Sequence, residues 1–380
     1  MALTAIECRG YKAFDQHVRV ELRRLTVLFG KNNSGKTSLA RLPIFALASL
    51  SSAEMFRLRT PVLSFGNSFL DVASASQAHP SIMLGVEFGS SALRVELQRI
   101  VGYSGQEMVA PVFVDVDDGA LIFESSRRLA ESHESWKKIM GERGGERYAA
   151  LRARQAELAQ ISDQVMHIPG ARPAIHATYQ MRAPNSPSVF EVPYVLASSA
   201  TVRDTVEDWF AKNLDGTRIM IDRAGFAFRF LVDTGNGAVN LAHAGRGTQS
   251  ALTMVANMAV AAIDSGGTSL VVVEEPEEHL HPSAHGGLAD LAIGTSEKAR
   301  VVVETHSENF ILRIRRRIAE GLISPSDVGI YFVDSDHSVN EVAIDRQGIA
   351  RNWPAGIFED DIEEAEAIVT SRLSASGEME

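Results

Sequence analysis

The stretch GKNNSGKTSL, residues 30–39, has residue types and a spacing that could hold a phosphate group. It matches the pattern GxxxxGK[ST], whose glycines let the backbone turn tightly and bring N–H groups close to phosphate oxygens. Lys36 would reach the β- and γ-phosphates of a nucleotide, and the Thr37 hydroxyl would occupy one position around Mg²⁺. The alternative is a glycine-rich turn that carries Lys-Thr by chance. The predicted phosphate-binding residues are Gly30, Asn32, Asn33, Ser34, Gly35, Lys36, Thr37 and Ser38.

Four carboxylates begin where a second stretch, the apolar run 269–273, ends in EEPEEHLHP. A continuous apolar run is typical of a parallel strand buried on both faces, and ligands bind at the carboxyl ends of such strands. Adjacent strand residues point to opposite faces, so Glu274 and Glu275 should have different roles. One would hold Mg²⁺, and the other would orient and deprotonate an attacking water. A solvated acidic loop is the alternative.

Two further stretches could contact the same phosphate. The apolar run 300–303 ends in ETHSENF, which places His306 just past the carboxyl end of another predicted strand. The loop GRGTQS, residues 245–250, precedes an apolar helix and is therefore a second anion-facing element. Its candidate nucleotide-binding residues are Gly245, Gly247, Gln249 and Ser250.

The elements around these stretches predict an α/β fold with a β-rich N-terminal half. The phosphate loop follows the predicted strand 25–29 and precedes a helix over 38–50. Residues 125–165 are charged and helix-favouring, which predicts a helical insert, and prolines punctuate the loop 169–193. The predicted segments are 1–124 and 199–345, the two halves of the nucleotide-binding domain, with the helical insert and proline-rich loop at 125–198 and a tail at 346–380.

Composition excludes several classes of protein. Among the 380 residues no apolar helix approaches the ~18 residues needed to span a bilayer, and Met1 begins no signal peptide. Cys8 is the only cysteine, which rules out an intrachain disulfide. We therefore predict a cytoplasmic protein without a membrane partner. The net charge of −11 argues against a surface coated by nucleic acid but leaves a local basic groove open.

Weaker candidates have more ordinary explanations. The basic run Arg313, Arg315, Arg316 and Arg317 is the best nucleic-acid candidate, although such a run is more often a solvated helix face. His279, His281 and His285 lack the partners of a zinc site. Asp334 and Asp336 should cap a turn between strands, and Lys12 should be a solvated loop lysine.

The chain as a whole resembles ABC-class P-loop ATPases of the SMC, RecF and OLD-like branch, bacterial AAA-family ATPases similar to antiphage-defence ATPases. The resemblance lies in GKNNSGKTSL (Walker A), LVVVEEPEEHLHP (Walker B and D-loop), VVVETHSENF (H-loop) and VNLAHAGRGTQSALTMV (signature loop). IPGARPAIHATY and RNWPAGIFEDDIEEA also resemble segments common in that branch. The resemblance implies a P-loop NTPase of ABC-ATPase type with a mixed sheet, and ATP and Mg²⁺ as cofactors.

The same resemblance implies roles for the site residues. Glu274 and Thr37 would hold Mg²⁺, Glu275 would be the general base, and His306 would be the switch histidine. The signature loop of one protomer would face the γ-phosphate held by another, in a homodimer or a higher even-numbered oligomer. The signature carries Gln249-Ser250 in the reverse of the usual order, so which side chain contacts the phosphate stays open. The identity of the Q-loop glutamine also stays open, with Gln77 as a candidate.

We therefore expect an ATP-hydrolysing enzyme that couples its nucleotide state to DNA or to a partner effector protein, in antiphage defence or DNA maintenance. The chain after His306 is too short for the TOPRIM nuclease of the OLD family, so a partner would supply any nuclease. A nucleotide-gated scaffold that holds an effector with little ATP turnover is the alternative. A transporter subunit is disfavoured because GRGTQS departs from LSGGQ.

Overall fold

The computed structural model describes residues 2–76, 80–101, 107–117, 119–122, 145–182, 191–235, 237–263, 269–354 and 357. The strands are β1 Leu3–Arg9, β2 Val18–Glu21, β3 Leu25–Gly30, β4 Ser81–Phe88, β5 Ser91–Val101, β6 Glu107–Val116, β7 Gly119–Ile122, β8 Val165–Ile168, β9 Tyr179–Gln180, β10 Arg218–Ala224, β11 Ala227–Asp233, β12 Ala238–Asn240, β13 Leu270–Glu274, β14 Arg300–Glu304, β15 Val328–Val333 and β16 Val339–Glu341. The α-helices are α1 Lys36–Leu50, α2 Gly145–Ser162, α3 Val192–Ser198, α4 Ala200–Asn213, α5 Arg246–Ile263, α6 Pro282–Thr295 and α7 Glu308–Ala319.

A mixed six-stranded sheet forms the centre of the molecule, in the order β16-β15-β3-β14-β13-β8. Its strands run parallel except for β16, which pairs antiparallel at one edge. Successive residues of β13 face opposite sides, so that Val271 and Val273 pack into one core and Leu270 and Val272 into the other. Because the strands are parallel, the carboxyl ends of β3, β13 and β14 meet at one edge of the sheet.

A second sheet, antiparallel in the order β2-β1-β4-β5-β6-β7, accounts for the β-rich N-terminal half. Helix α1 lies between the two sheets. Its side chains Leu39 and Phe45 share one core with Leu84 of β4 and Val272 of β13. A helix enclosed in this way is apolar on nearly all sides, which explains the composition of residues 39–50. A small antiparallel sheet, β10-β11-β12 with β9, packs beside α4.

The predicted segment 125–198 contributes to the central sheet as well as to a helix. Residues 123–144 lie outside the described part of the chain. Helix α2 packs Leu151, Leu158 and Ile161 into the core of α1, and β8 pairs with β13 as an edge strand. Strand β8 was hard to predict from the sequence, because its four residues include His167 in an otherwise apolar run. None of the helices in the described ranges combines the length and the apolar composition that a membrane span requires.

Candidate active site

The phosphate loop connects β3 to α1 and has a backbone that only glycine can adopt at two points. Gly30 has φ 149°, and a Cβ there would lie 2.1 Å from the Val333 carbonyl oxygen. Gly35 has φ 98° and would bring a Cβ to 3.0 Å from the Phe14 ring. No side chain caps the start of α1, and the buried Ser34 hydroxyl has no hydrogen-bond partner. Uncapped N–H groups and the helix dipole make this loop a site for an anion.

Lys36 lies inside the molecule at the start of α1, with 3% of its surface exposed. Its Nζ donates a hydrogen bond to the Lys31 carbonyl, at 2.5 Å. Burial lowers the pKa of Lys36, while the nearby carboxylates of Glu304 and Glu275 act in the opposite direction. The lysine therefore faces two acidic groups, one at the end of β14 and the other just after β13.

Glu304 is the last residue of β14 and is 1% exposed. The Thr37 hydroxyl donates to its Oε1 at 2.5 Å, and its Oε2 is buried without a hydrogen-bond partner. Burial raises the pKa of Glu304 to about 7; the Thr37 hydrogen bond opposes this shift, and the charges of Glu274 and Glu275 add to it. A buried carboxylate with an unsatisfied oxygen thus lies directly beside the phosphate loop.

Glu274 is the register partner of Glu304 on β13 but has different neighbours. Arg41 of α1 donates to both of its oxygens, at 2.5 and 2.7 Å, and His167 of β8 lies 2.8 Å from Oε1. The Gly170 N–H adds a longer contact of 3.4 Å. Burial opposes ionisation of Glu274, but the hydrogen bonds from Arg41 and His167 outweigh it and lower the pKa to about 2.

The two predicted Mg²⁺ ligands, Thr37 and Glu274, have different hydrogen-bond partners in the structure, and their joint role stays a prediction. Thr37 donates to Glu304, whereas both oxygens of Glu274 are engaged by Arg41. The sequence could not show this, because Arg41 and His167 reach Glu274 from elements far away in the chain.

Glu275 and His306 approach each other at the same edge of the sheet. Glu275 has an unusual positive φ of 42°, its N–H donates to the Glu304 carbonyl at 2.9 Å, and its side chain is 40% exposed. His306 Nε2 lies 4.0 Å from Glu275 Oε1, and its backbone N–H donates to Glu277 at 2.5 Å. Burial lowers the pKa of His306, and the Lys36 charge adds to this, so the site favours the neutral imidazole.

We call Lys36, Thr37, Glu275, Glu304 and His306 the strand-end cluster. One potential ligand atom from each of Glu275, Glu304 and His306 lies within 4.8 Å of the others. This is the only such group of His, Cys, Asp and Glu residues in the described ranges. Four of the five residues were predicted from the sequence, and Glu304 was not.

The glycine-rich loop was predicted over residues 245–250, but all of this stretch after Gly245 forms the start of α5. Its polar side chains Gln249 and Ser250 turn inward. Gln249 donates to the carbonyls of Ala242 and Ala244, at 3.3 and 2.9 Å. A Cβ at Gly247 would lie 2.3 Å from the His279 carbonyl oxygen, so this loop touches the loop that follows β13. Ser250 is buried and accepts a hydrogen bond from Arg172. Both signature candidates, Gln249 and Ser250, thus have partners in their own chain.

Arg172 joins the glycine-rich loop to the carboxylate strand. Besides Ser250, its guanidinium donates to the carbonyls of Glu274 and Glu275, at 3.1 and 2.7 Å. Burial lowers the pKa of Arg172 to about 10, and four nearby glutamates oppose that shift. A displacement of Ser250 would therefore shift Arg172 and, through it, the backbone of Glu275.

Comparison with known protein families agrees with this geometry. A family model described as "AAA domain, putative AbiEii toxin, Type IV TA system" matches residues 25–313, more than half of the chain. The chain belongs to this AAA-domain family. A second model, "Protein of unknown function (DUF3696)", matches residues 323–367. No curated protein matches the chain by sequence.

Solved structures of SMC head domains have a similar fold. The crystal structure of an SMC head bound to the C-winged helix domain of ScpA has a TM-score of 0.54 and 12% identity, covering 91% of this chain and 99% of that one. The SMC head from Thermotoga maritima has a TM-score of 0.43 and 11% identity, covering 91% and 100%. The first match shows the fold alone, and it confirms the predicted ABC-type P-loop ATPase fold with a mixed sheet.

In this AAA-domain chain the weaker candidates have internal partners. Arg313 and Arg317 bind Asp290, Arg316 and Arg317 bind Glu320, and Arg315 donates to the Gly348 carbonyl. His281 caps α6 and His285 contacts Ser307, so the described histidines form no zinc site. Asp334 and Asp336 accept backbone hydrogen bonds in a turn, as predicted.

The expectations for Lys12 and Gln77 have different outcomes. Lys12 is not a free loop lysine, because its Nζ donates to the Asp71 carbonyl at 2.6 Å. Gln77 lies outside the described residues.

The site residues that sequence reasoning missed are Arg41, His167, Arg172 and Glu304. Only Glu304 carries a recognisable signal, since it ends an apolar strand just as Glu274 does. Arg172 lies in the IPGARPAIHATY segment, which resembles a segment common in the SMC, RecF and OLD-like branch, but the sequence assigned it no role at the site. Arg41 and His167 could be identified only from their contacts in the folded protein.

Proposed function

We propose that this protein hydrolyses ATP with Mg²⁺ and dimerises when ATP is bound. The observation that carries the proposal is the strand-end cluster, which gathers a phosphate-binding lysine, a hydroxyl, two carboxylates and a neutral histidine beside an uncapped helix. The loop amides and Lys36 would hold the phosphates. Glu275, which is partly exposed, would take the proton of the attacking water, and neutral His306 would contact the γ-phosphate.

The residues present also fit a divalent cation. Thr37 and Glu304 offer hard oxygen ligands of the kind Mg²⁺ prefers, and one Glu304 oxygen is buried without a partner. When bound, Mg²⁺ would neutralise negative charge that develops on the phosphate oxygens. We place the second half of the site on another copy of the chain, whose glycine-rich loop at Gly245 is exposed at the start of α5.

The proposed cycle of ATP binding and hydrolysis must also act on another molecule. We infer that ATP-driven closure and reopening act on a partner effector protein, such as a nuclease, or on DNA, in cytoplasmic antiphage defence or DNA maintenance. A structurally similar SMC head binds a winged-helix domain, which supports a protein partner by analogy. The basic run of α7 gives little support to DNA binding, since Asp290 and Glu320 neutralise it.

Steady-state phosphate release by the wild-type protein tests this proposal. We expect release that requires Mg²⁺ and rises faster than linearly with protein concentration, because two copies complete each site. Duplex DNA should be added over a range of salt concentrations, since stimulation that falls steeply with salt would indicate contacts to DNA phosphates. If no phosphate is released under any of these conditions, the proposal that the protein hydrolyses ATP is refuted.

Arg172→Lys should slow ATP hydrolysis about tenfold, within the ~0.5–2 kcal/mol typical of residues that couple two sites. Lysine keeps the charge but cannot hold Ser250 and two carbonyls at once. ATP affinity, measured by fluorescence titration, should change little. Arg203→Lys is the matched control, because Arg203 also donates to two main-chain carbonyls but lies on α4. Equal rates in the two variants would contradict a coupling role for Arg172.

A further inference from the structure

The turn between β15 and β16 brings a histidine to the phosphate loop. His337 lies 303 positions after Ser34 in the chain, and its Nδ1 lies 3.0 Å from the Ser34 carbonyl oxygen. The contact is a hydrogen bond in the tautomer that carries its proton on Nδ1, because a carbonyl oxygen can only accept. His337 lies outside the sequence motifs of the site and within residues 323–367, which match the second family model.

The backbone of this turn directs the imidazole at the phosphate loop. The Asp334 N–H donates to the Ser338 carbonyl and the His337 N–H donates to the Asp334 carbonyl, both at 3.0 Å. Asp336 accepts a hydrogen bond from the Ser338 N–H at 2.9 Å. His337 has a left-handed φ of 67°, a conformation that is uncommon for a residue with a side chain and that these contacts maintain. Its ring also meets the edge of the Phe14 ring, with centroids 6.4 Å apart.

The same C-terminal part of the chain supports the beginning of the phosphate loop. Strand β15 pairs with β3 as far as Val333, which lies opposite Gly30. The Val333 carbonyl oxygen is so close to Gly30 that a Cβ there would be 2.1 Å away. The Trp353 ring stacks on Phe29, with centroids 5.2 Å apart and an angle of 23° between the planes. Residues 328–353 thus contact the phosphate loop at its first residue and again just before α1.

The contact at Ser34 acts on a peptide group that should bind phosphate. A peptide is planar and trans, so the Ser34 carbonyl and the Gly35 N–H form one rigid unit and point in opposite directions. In a phosphate loop such N–H groups bind the phosphate oxygens. A donor on the carbonyl fixes the direction of the N–H and strengthens it, because connected hydrogen bonds polarise one another. Glycine is conformationally permissive, so the peptide beside Gly35 would otherwise be free to rotate.

We propose that His337 is a positioning residue for the nucleotide, which orients the Ser34–Gly35 peptide so that the Gly35 N–H faces a phosphate oxygen. This inference rests on the proposed function, because it requires that the loop holds a nucleotide. His337 acts through the loop backbone and touches no phosphate itself. The C-terminal part of the chain therefore has a direct task at the nucleotide site, in addition to its place in the central sheet.

Two substitutions of His337 in the full chain separate the donor from the turn. His337→Gly accepts the left-handed backbone but has no donor. His337→Asn also tolerates that backbone, and its Nδ2 is bonded to Cγ as the histidine Nδ1 is, so a donor stays in the same place. Ser335→Gly is the control, because it adds the same backbone freedom to the same turn at an exposed residue. The probes are ADP with Mg²⁺ and pyrophosphate, which competes for the phosphate loop but has no ribose or base.

We expect His337→Gly to weaken the binding of ADP and of pyrophosphate alike, by about fivefold, the size of one ordinary hydrogen bond. His337→Asn should recover most of this loss, and Ser335→Gly should bind both probes as the wild type does. Melting curves verify the fold of each variant. Three results would overturn the proposal: unchanged binding in His337→Gly, a loss for ADP but not for pyrophosphate, or no recovery in His337→Asn. A wild-type protein that binds neither probe would refute the proposed function as well.

Discussion

Glu275→Gln is expected to slow ATP hydrolysis by ~10²–10⁴-fold, the usual contribution of a general base. Glutamine has nearly the same shape but cannot accept the proton of the attacking water. The phosphate loop and Lys36 are untouched, so ATP should still bind. Single-turnover phosphate release measures the rate, and size-exclusion chromatography with ATP measures assembly. Because hydrolysis would reopen the dimer, the variant should accumulate as an ATP-bound dimer.

Glu278→Gln is the control for this experiment. Glu278 lies in the same loop, and its side chain is 33% exposed and contacts His279 rather than the strand-end cluster. It should therefore hydrolyse ATP at close to the wild-type rate. If Glu275→Gln instead leaves both assembly and downstream activity unchanged, the protein acts as a nucleotide-gated scaffold. A wild-type rate of ATP hydrolysis in Glu275→Gln would show that Glu275 is not the general base.

Local patterns were sufficient to predict the strands and helices that carry the strand-end cluster. The apolar runs before Gly30, Glu274 and His306 each become a buried parallel strand. Such runs are informative because a strand buried on both faces cannot tolerate polar residues. Since parallel strands end at one edge of a sheet, the sequence also predicted that Lys36, Glu275 and His306 would meet there.

Contacts between distant parts of the chain were beyond the sequence patterns. The Thr37–Glu304 hydrogen bond joins residues 267 positions apart, and the Arg41–Glu274 ion pair joins residues 233 positions apart. No spacing rule relates such residues, because only the packing of α1 against the sheet brings them together. For the same reason the sequence could not show that Arg41 and His167 contact Glu274, whose role as a metal ligand stays a prediction.

These long-range contacts suggest how the two sides of the site communicate. Arg41 fixes the helix behind the phosphate loop to β13, and Arg172 fixes the glycine-rich loop to the end of the same strand. The end of β13 is thus held from the side of the phosphate loop, through Glu274, and from the side that would face a second protomer, through the Glu275 carbonyl. The positive φ of 42° at Glu275 is a conformation that such contacts must maintain.

Lys36→Ala is expected to weaken ATP binding by about 3 kcal/mol, a rise in Kd of about 150-fold, because it removes a buried charge that, in our proposal, would contact the phosphates. It should also abolish any ATP-dependent dimer. Isothermal titration calorimetry measures the affinity, and sedimentation with ATP measures assembly. Circular dichroism melting verifies the fold, since Lys36 is buried.

Lys31→Ala is the matched control for Lys36→Ala. Lys31 has the same charge and lies in the same loop, but its side chain is exposed. Its carbonyl, which receives the Lys36 hydrogen bond, belongs to the backbone and survives the substitution. Lys31→Ala should therefore bind ATP with nearly wild-type affinity and still assemble. An ATP-dependent dimer that survives in Lys36→Ala would mean that ATP acts from another site. This result would contradict the proposal that two copies of the chain share the nucleotide site.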